Sequence, residues 1–210
     1  MLAEYQMTSS PLNADSLNNE VRDLLKTVQQ EVGFVPNMYA NMAHSPSLLQ
    51  TYMTGYKAFR KESAFSPQEQ EVILLTISRE NGCEYCVSAH SMIAARQAGI
   101  NDDILQAIRD GREVNDSRLA ALSAFTRKLV TRRGLARKYD VKAFLDAGFS
   151  EGQILEIVLA IGMETLSIYS NHLFHTGLDE AFADWEWKDM DSEQKIPDRM
   201  EVRSMQQDVP

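Results

Sequence analysis

The feature that most constrains the fold is a capped apolar segment in the middle of the chain. Ser66-Pro67-Gln68-Glu69 joins an N-cap serine, a proline at the first helical position and an acid at the third, the pattern of a capping box. Val72-Ile-Leu-Leu-Thr-Ile77 follows and is apolar nearly all round, as a central buried helix requires. Six such residues could also make a buried strand. The cap and the uninterrupted length to Asn81 favour a helix, with Gly82 taking the left-handed conformation that ends it.

The rest of the chain repeats this grammar. Leu24, Leu25 and Val28 recur at helical spacing behind an Asn18 cap, and Gly33-Phe-Val-Pro36-Asn37 breaks the run. Ser45-Pro46 starts another helix. A further one runs from near Cys83 to Gly99, and Asn101 caps a short helix from Asp102 to about Arg109. Asp116 caps a helix ending near Gly134, and a short segment spans Val141 to Ala147. Ser150-Glu-Gly-Gln153 is a second capping box, opening a long helix to about Thr176 with Gly177 as its stop. Gly162 inside it marks a kink or a close helix contact. No alternation of apolar residues reads as a strand, so the fold class is all-α. Three segments follow: an N-terminal helical extension over 1–32, a helical body over 33–178 and a polar, acidic C-terminal tail over 179–210, where Trp185 and Trp187 are placed to dock on the body or on a neighbouring subunit. Phe65-Ser66 recurs as Phe149-Ser150, and Glu71 and His90 meet Glu156 and His175. In that register Ile168 and Asn171 stand where the cysteines are; chance likeness of two capped apolar helices explains this as well as a repeat does.

A net charge of -9 argues against nucleic acid as a partner, since phosphate binding needs clustered Lys and Arg. The N-terminus has neither the basic nor the apolar region of a signal peptide, and no apolar run suggests a membrane span. The expected location is therefore cytoplasmic, where a C-x-x-C pair is more often redox-active or metal-binding than structural.

Both cysteines, Cys83 and Cys86, lie just past the central helix, with His90 four residues on and Glu71 twelve before. A thiolate needs a stabilising group or a base. Cys83 in a first helical turn would have the helix dipole; Cys86 shares a helix face with His90, which could take its proton as a base near neutrality. Spacing alone leaves the nucleophile open. Glu71 is either a buried partner that orients His90 or a solvated first-turn acid like Glu69. Glu80 and Glu84 read as solvated acids or salt-bridge partners of Arg79, and His44 and His172 as packed histidines. The rival chemistry is zinc, with Cys83, Cys86 and His90 as ligands and Glu71 or water as the fourth.

The pattern E-x(11)-C-x-x-C-x(3)-H, filled by Glu71, Cys83, Cys86 and His90, resembles the AhpD-like alkylhydroperoxidases of the carboxymuconolactone decarboxylase superfamily. Phe34-Val-Pro-Asn-Met-Tyr and Ser45-Pro-Ser-Leu-Leu are similar to its longer, peroxidase-related branch. The resemblance implies a helical fold with a degenerate internal repeat, assembled as a trimer or hexamer. It also implies hydroperoxide reduction by a cysteine pair, with no cofactor, recharged by an external thiol or a lipoyl-bearing protein. By matching positions Cys86 would be the peroxidatic cysteine and Cys83 its disulfide partner, with Glu71 and His90 as a proton relay. Tyr85 departs from the histidine that the best-known peroxidases of the family carry before the second cysteine. A phenol is a poor base at neutral pH but a good donor. Decarboxylation, which does not depend on the cysteine pair, is the remaining alternative.

Overall fold

The computed structural model describes residues 3–9, 12 and 19–189. Among them all the regular structure is helical, without a strand. The helices are α1 (Asn19–Val32), α2 (Asn37–Met42), α3 (Pro46–Glu62), α4 (Pro67–Glu80), α5 (Glu84–Ile93), α6 (Asp102–Arg109), α7 (Ser117–Thr131), α8 (Lys138–Asp146) and α9 (Glu151–Phe174). A π turn, Ala94–Ala98, extends α5, and a 3₁₀ turn, Glu180–Trp185, closes the described chain. The expected cap at Asn18 and the tail from residue 190 lie outside the described residues.

α4 is the axis, as its apolar run demands. Every residue from 69 to 78 is buried, and both halves of the Ser66/Glu69 capping box are formed. α7 lies along one side, where the Thr76 and Ser123 hydroxyls share a hydrogen bond of 3.0 Å. α9 packs against α2, α3 and α4. Gly82 ends α4 at φ 65°, and the chain re-enters helix within two residues. Cys83 is the N-cap of α5 and not part of its first turn: its Sγ accepts the backbone N–H of Cys86 at 3.3 Å.

Several boundaries differ from the sequence reading. α9 stops at Phe174, three residues before Gly177, because His175 itself takes the left-handed conformation at φ 50°. Gly162 marks no close helix contact, since no atom lies within 4 Å of a Cβ built there, and α9 runs through it without a break. Ser45 caps α3 in backbone conformation but makes no side-chain capping bond. α9 is, by length and composition, apolar enough to cross a membrane, contrary to the sequence expectation. Its packing is that of a core helix, with Gln153, Glu164 and Asn171 buried and an apolar stripe of Leu155, Val158, Tyr169 and Leu173 exposed.

The segment after α9 does dock through its tryptophans. Trp187 donates from its backbone N–H to Ser88 Oγ at 3.0 Å and from its indole to the Arg109 carbonyl at 3.1 Å. Arg109 in turn donates to the carbonyls of Trp185 and Glu186. This strap lies across the outer face of α5.

Candidate active site

The break between α4 and α5 sets the geometry. Because Gly82 turns the chain between them, Glu71 on α4 and His90 on α5, nineteen residues apart, face each other: Glu71 Oε2 is 3.0 Å from His90 Nδ1. Glu71 is 0% exposed, so the solvated alternative fails. Its other oxygen, Oε1, forms an ion pair with Arg60 of α3, which also donates to the Tyr56 hydroxyl at 2.8 Å. Burial alone would raise the Glu71 pKa, but His90 and Arg60 together hold it below the usual carboxylate range.

His90 has a second carboxylate on its far side. Glu164 of α9, 1% exposed, places Oε1 at 3.6 Å from His90 Nε2. Burial would lower the imidazole pKa; the charge of Glu71, then the polar contacts with Glu164 and Glu71, outweigh it and lift His90 to about 9. The imidazole is thus charged at neutral pH, which corrects the reading of His90 as a base near neutrality.

Cys83 and Cys86 form a disulfide with their Cα atoms 5.3 Å apart, 1% and 3% exposed respectively. Asn171 of α9 donates its amide to Cys86 Sγ at 3.3 Å and, more distantly, to Cys83 Sγ at 3.8 Å. Its own Oδ1 is buried without a hydrogen-bond partner, a cost of about 1–3 kcal/mol that packing alone does not require.

Cys86, Glu71, His90 and Glu164 all line one cavity of about 560 Å³, whose remaining wall is mostly aromatic and apolar, including Phe34, Tyr39, Tyr52, Tyr56 and Phe182. Cys83 is not part of that wall. Tyr85 reaches the cavity with its ring, while its hydroxyl donates to Asp179 Oδ2 at 2.5 Å and the ring stands edge-on to Phe182. Burial, then Asp179, push the phenol pKa up, so Tyr85 is a fixed donor that ties the strap to α5.

The zinc alternative does not fit these residues. The sulfurs are bonded to each other, and both His90 nitrogens face carboxylates. No group of three metal-ligating side chains occurs among the described residues. Glu80 pairs with Arg79 and Arg127, and Glu84 with Lys188 of the strap. His44 stacks on Phe174, and His172 is partly buried, which lowers its pKa.

Glu164, Asn171 and Arg60 were missed in the sequence. The signals available were a lone acid inside an apolar helix, and the faint register that sets Asn171 opposite Cys86.

Comparison with known proteins agrees with this picture. Residues 46–127 match the carboxymuconolactone decarboxylase family. No curated protein matches the chain significantly. Among solved structures, the chain is similar to an AhpD-core, peroxidase-related protein from Ralstonia eutropha JMP134, with a TM-score of 0.75 and 22% identity over 86% of this chain and 96% of that one. It is also similar to the debrominase Bmp8, solved with 2,3,4-tribromopyrrole, at TM-score 0.70 and 20% identity over 85% and 95% of the two chains. A peroxidase-related protein from Silicibacter sp. TM1040 superposes at TM-score 0.67 with 20% identity, covering 84% and 95%. With its cysteine pair at bonding distance on this helical scaffold, the chain has the AhpD-like fold, and the stretch from residue 46 to 127 that holds the pair is similar to the carboxymuconolactone decarboxylase family.

Proposed function

We propose that the protein is a thiol-dependent peroxidase that reduces organic hydroperoxides through a Cys83/Cys86 dithiol–disulfide cycle. The observation that carries this reading is a bonded cysteine pair whose second member lines a largely apolar cavity beside a buried Glu71–His90 pair. Cys86 is the attacking thiolate. Its place in the cavity wall and the Asn171 amide on its sulfur support that assignment; the N-cap bond to Cys83 Sγ suits the partner that closes the disulfide. An external thiol or lipoyl-bearing protein restores the dithiol. A cavity of this size and lining suits an organic hydroperoxide better than hydrogen peroxide.

The test is to count free thiols in the reduced protein before and after one equivalent of cumene hydroperoxide. Loss of both thiols is expected, and persistence of both would sink the reading. Cys86→Ser should consume no hydroperoxide, whereas Cys83→Ser should react once and stop.

The aromatic wall favours a second reading, reduction of a flat halogenated ring by the same dithiol, in keeping with the debrominase of similar fold. Bromide release from a polybrominated pyrrole with dithiothreitol present, without hydroperoxide consumption, would select it.

A further inference from the structure

α9 brings to the cavity a group that the cysteine motif does not contain. Glu164 is 1% exposed, and its Oε2 and carbonyl accept from the Ser167 hydroxyl. Glu164 lines the cavity, and its Oε1 has no hydrogen-bond partner and faces His90 Nε2 across 3.6 Å. An unpartnered carboxylate oxygen this deeply buried is costly unless a cation balances it. The charged and titratable groups around His90 are Glu71 of α4, Glu164 of α9, Arg60, Tyr56 and Tyr52 of α3, Tyr39 of α2, and Cys86 on its own helix. With the imidazole protonated, Arg60 and His90 offset Glu71 and Glu164. With it neutral, a buried negative charge is left over.

We propose that Glu164 is a positioning residue that keeps His90 in its imidazolium form with the Nε2 proton directed into the cavity, so that His90 acts as the acid on the departing oxygen. The division of labour follows from the two distances. Glu71 at 3.0 Å holds Nδ1 in a hydrogen bond, while Glu164 at 3.6 Å supplies charge and leaves the Nε2 proton free to go to an oxygen in the cavity.

This rests on the peroxidase reading. Cys86 Sγ, as thiolate, attacks the terminal oxygen of R–O–O–H. An S–O bond forms, the O–O bond breaks, and its electron pair leaves on the alkoxide. The alkoxide takes the Nε2 proton and departs as alcohol. Cys86 becomes a sulfenic acid, oxidised by two electrons, and the hydroperoxide is reduced by two. Cys83 then attacks the sulfenic sulfur, forming the disulfide and releasing water; the external thiol reduces the disulfide, and His90 regains its proton from solvent.

The experiment has two arms. In the oxidised protein, where no thiol titrates, the His90 ring is titrated by NMR in wild type, Glu164→Asp and Glu164→Gln. Its midpoint, about 9 in the wild type, should fall by about one pH unit or more in Glu164→Gln, with Glu164→Asp between them. If Glu164→Gln does not fold, Glu164→Asp must still lie below wild type. A midpoint that does not move overturns the proposal. In the reduced protein, the alkaline limb of the single-turnover rate with cumene hydroperoxide should move down with the NMR midpoint. A limb that stays put while the midpoint moves overturns the acid role. A wild type inert to hydroperoxide sinks the peroxidase reading and the acid role with it, while the NMR arm still decides whether Glu164 holds the proton on His90.

Discussion

α4 and α9 begin with the same device, a serine cap answered by Glu69 or Gln153, and the phenylalanines before the two caps, Phe65 and Phe149, pair with ring centroids 5.9 Å apart. They part further along. α4 ends at Glu80 and Gly82 turns the chain into a new helix, whereas α9 runs unbroken over 24 residues. The break gives the cysteines what a helix interior lacks, namely backbone N–H groups not yet taken by the helical ladder. Cys83 Sγ accepts one of them. In α9 the corresponding positions, Ile168 and Asn171, lie well past the first turn, where backbone N–H groups are taken by the helical ladder. α9 serves the site through side chains instead, Glu164 toward His90 and Asn171 toward Cys86, spaced two turns apart on one face. One element supplies the reactive pair; the other supplies its surroundings.

If that contrast is right, the two helices should respond unequally to loss of matching acids. Glu71→Ala leaves Arg60 and His90 buried without their shared partner and should cost about 3–5 kcal/mol in urea unfolding. Glu156, the counterpart in α9, accepts the Ala64 N–H in a half-exposed position, and Glu156→Ala should cost about 1 kcal/mol or less. Equal losses would break the comparison.

The pH dependence of stability sharpens it. His90 is raised from 6.5 to about 9, so its contribution is complete below pH 6.5 and is lost as pH rises through about 9. In the oxidised protein that loss should be on the order of 3 kcal/mol between pH 6 and pH 9.5, read from urea midpoints. His90→Gln should flatten the curve over this window.

The sequence carries local information well and distant contacts poorly, and the site divides along that line. Both capping boxes, the Gly82 break and the Asn101 and Asp116 caps were legible because the groups that satisfy each other lie within about four residues. Cys83, Cys86 and His90 were legible for the same reason. Glu71 was readable only as an alternative, because helical periodicity does not say which helix covers a given face. Glu164 and Asn171 act across 74 and 85 residues, through the packing of α5 against α9, and no local pattern encodes that meeting. Tyr85 was read correctly as a donor, yet its acceptor, Asp179, sits 94 residues away on the strap.

Asn171→Ala separates the role of α9 in chemistry from its role in packing. It removes the N–H bond to Cys86 Sγ and, with it, the unpartnered Oδ1, so the two stability effects oppose each other. The thiolate has no such compensation. On a Cys83→Ser background the Cys86 thiol should titrate higher, and reaction with hydroperoxide at neutral pH should slow about fivefold, the effect of roughly 1 kcal/mol. Thiolate absorbance at about 240 nm against pH measures the first directly. An unchanged titration with lowered stability would make Asn171 a packing residue only.

Two glycine substitutions test the break itself, because one change should have opposite signs in the two helices. Gly82 sits at φ 65°, where an added Cβ crowds the following carbonyl, so Gly82→Ala should cost about 1–2 kcal/mol. Gly162 lies in the exposed interior of α9 with open space around a built Cβ. There Gly162→Ala should stabilise by about 0.5–1 kcal/mol, by reducing the freedom of the unfolded chain and suiting helical geometry. Thermal unfolding of the two variants reads the signs side by side. A stabilising Gly82→Ala would mean that α4 and α5 can join as α9 does, and that the cysteine pair does not depend on the turn that separates them.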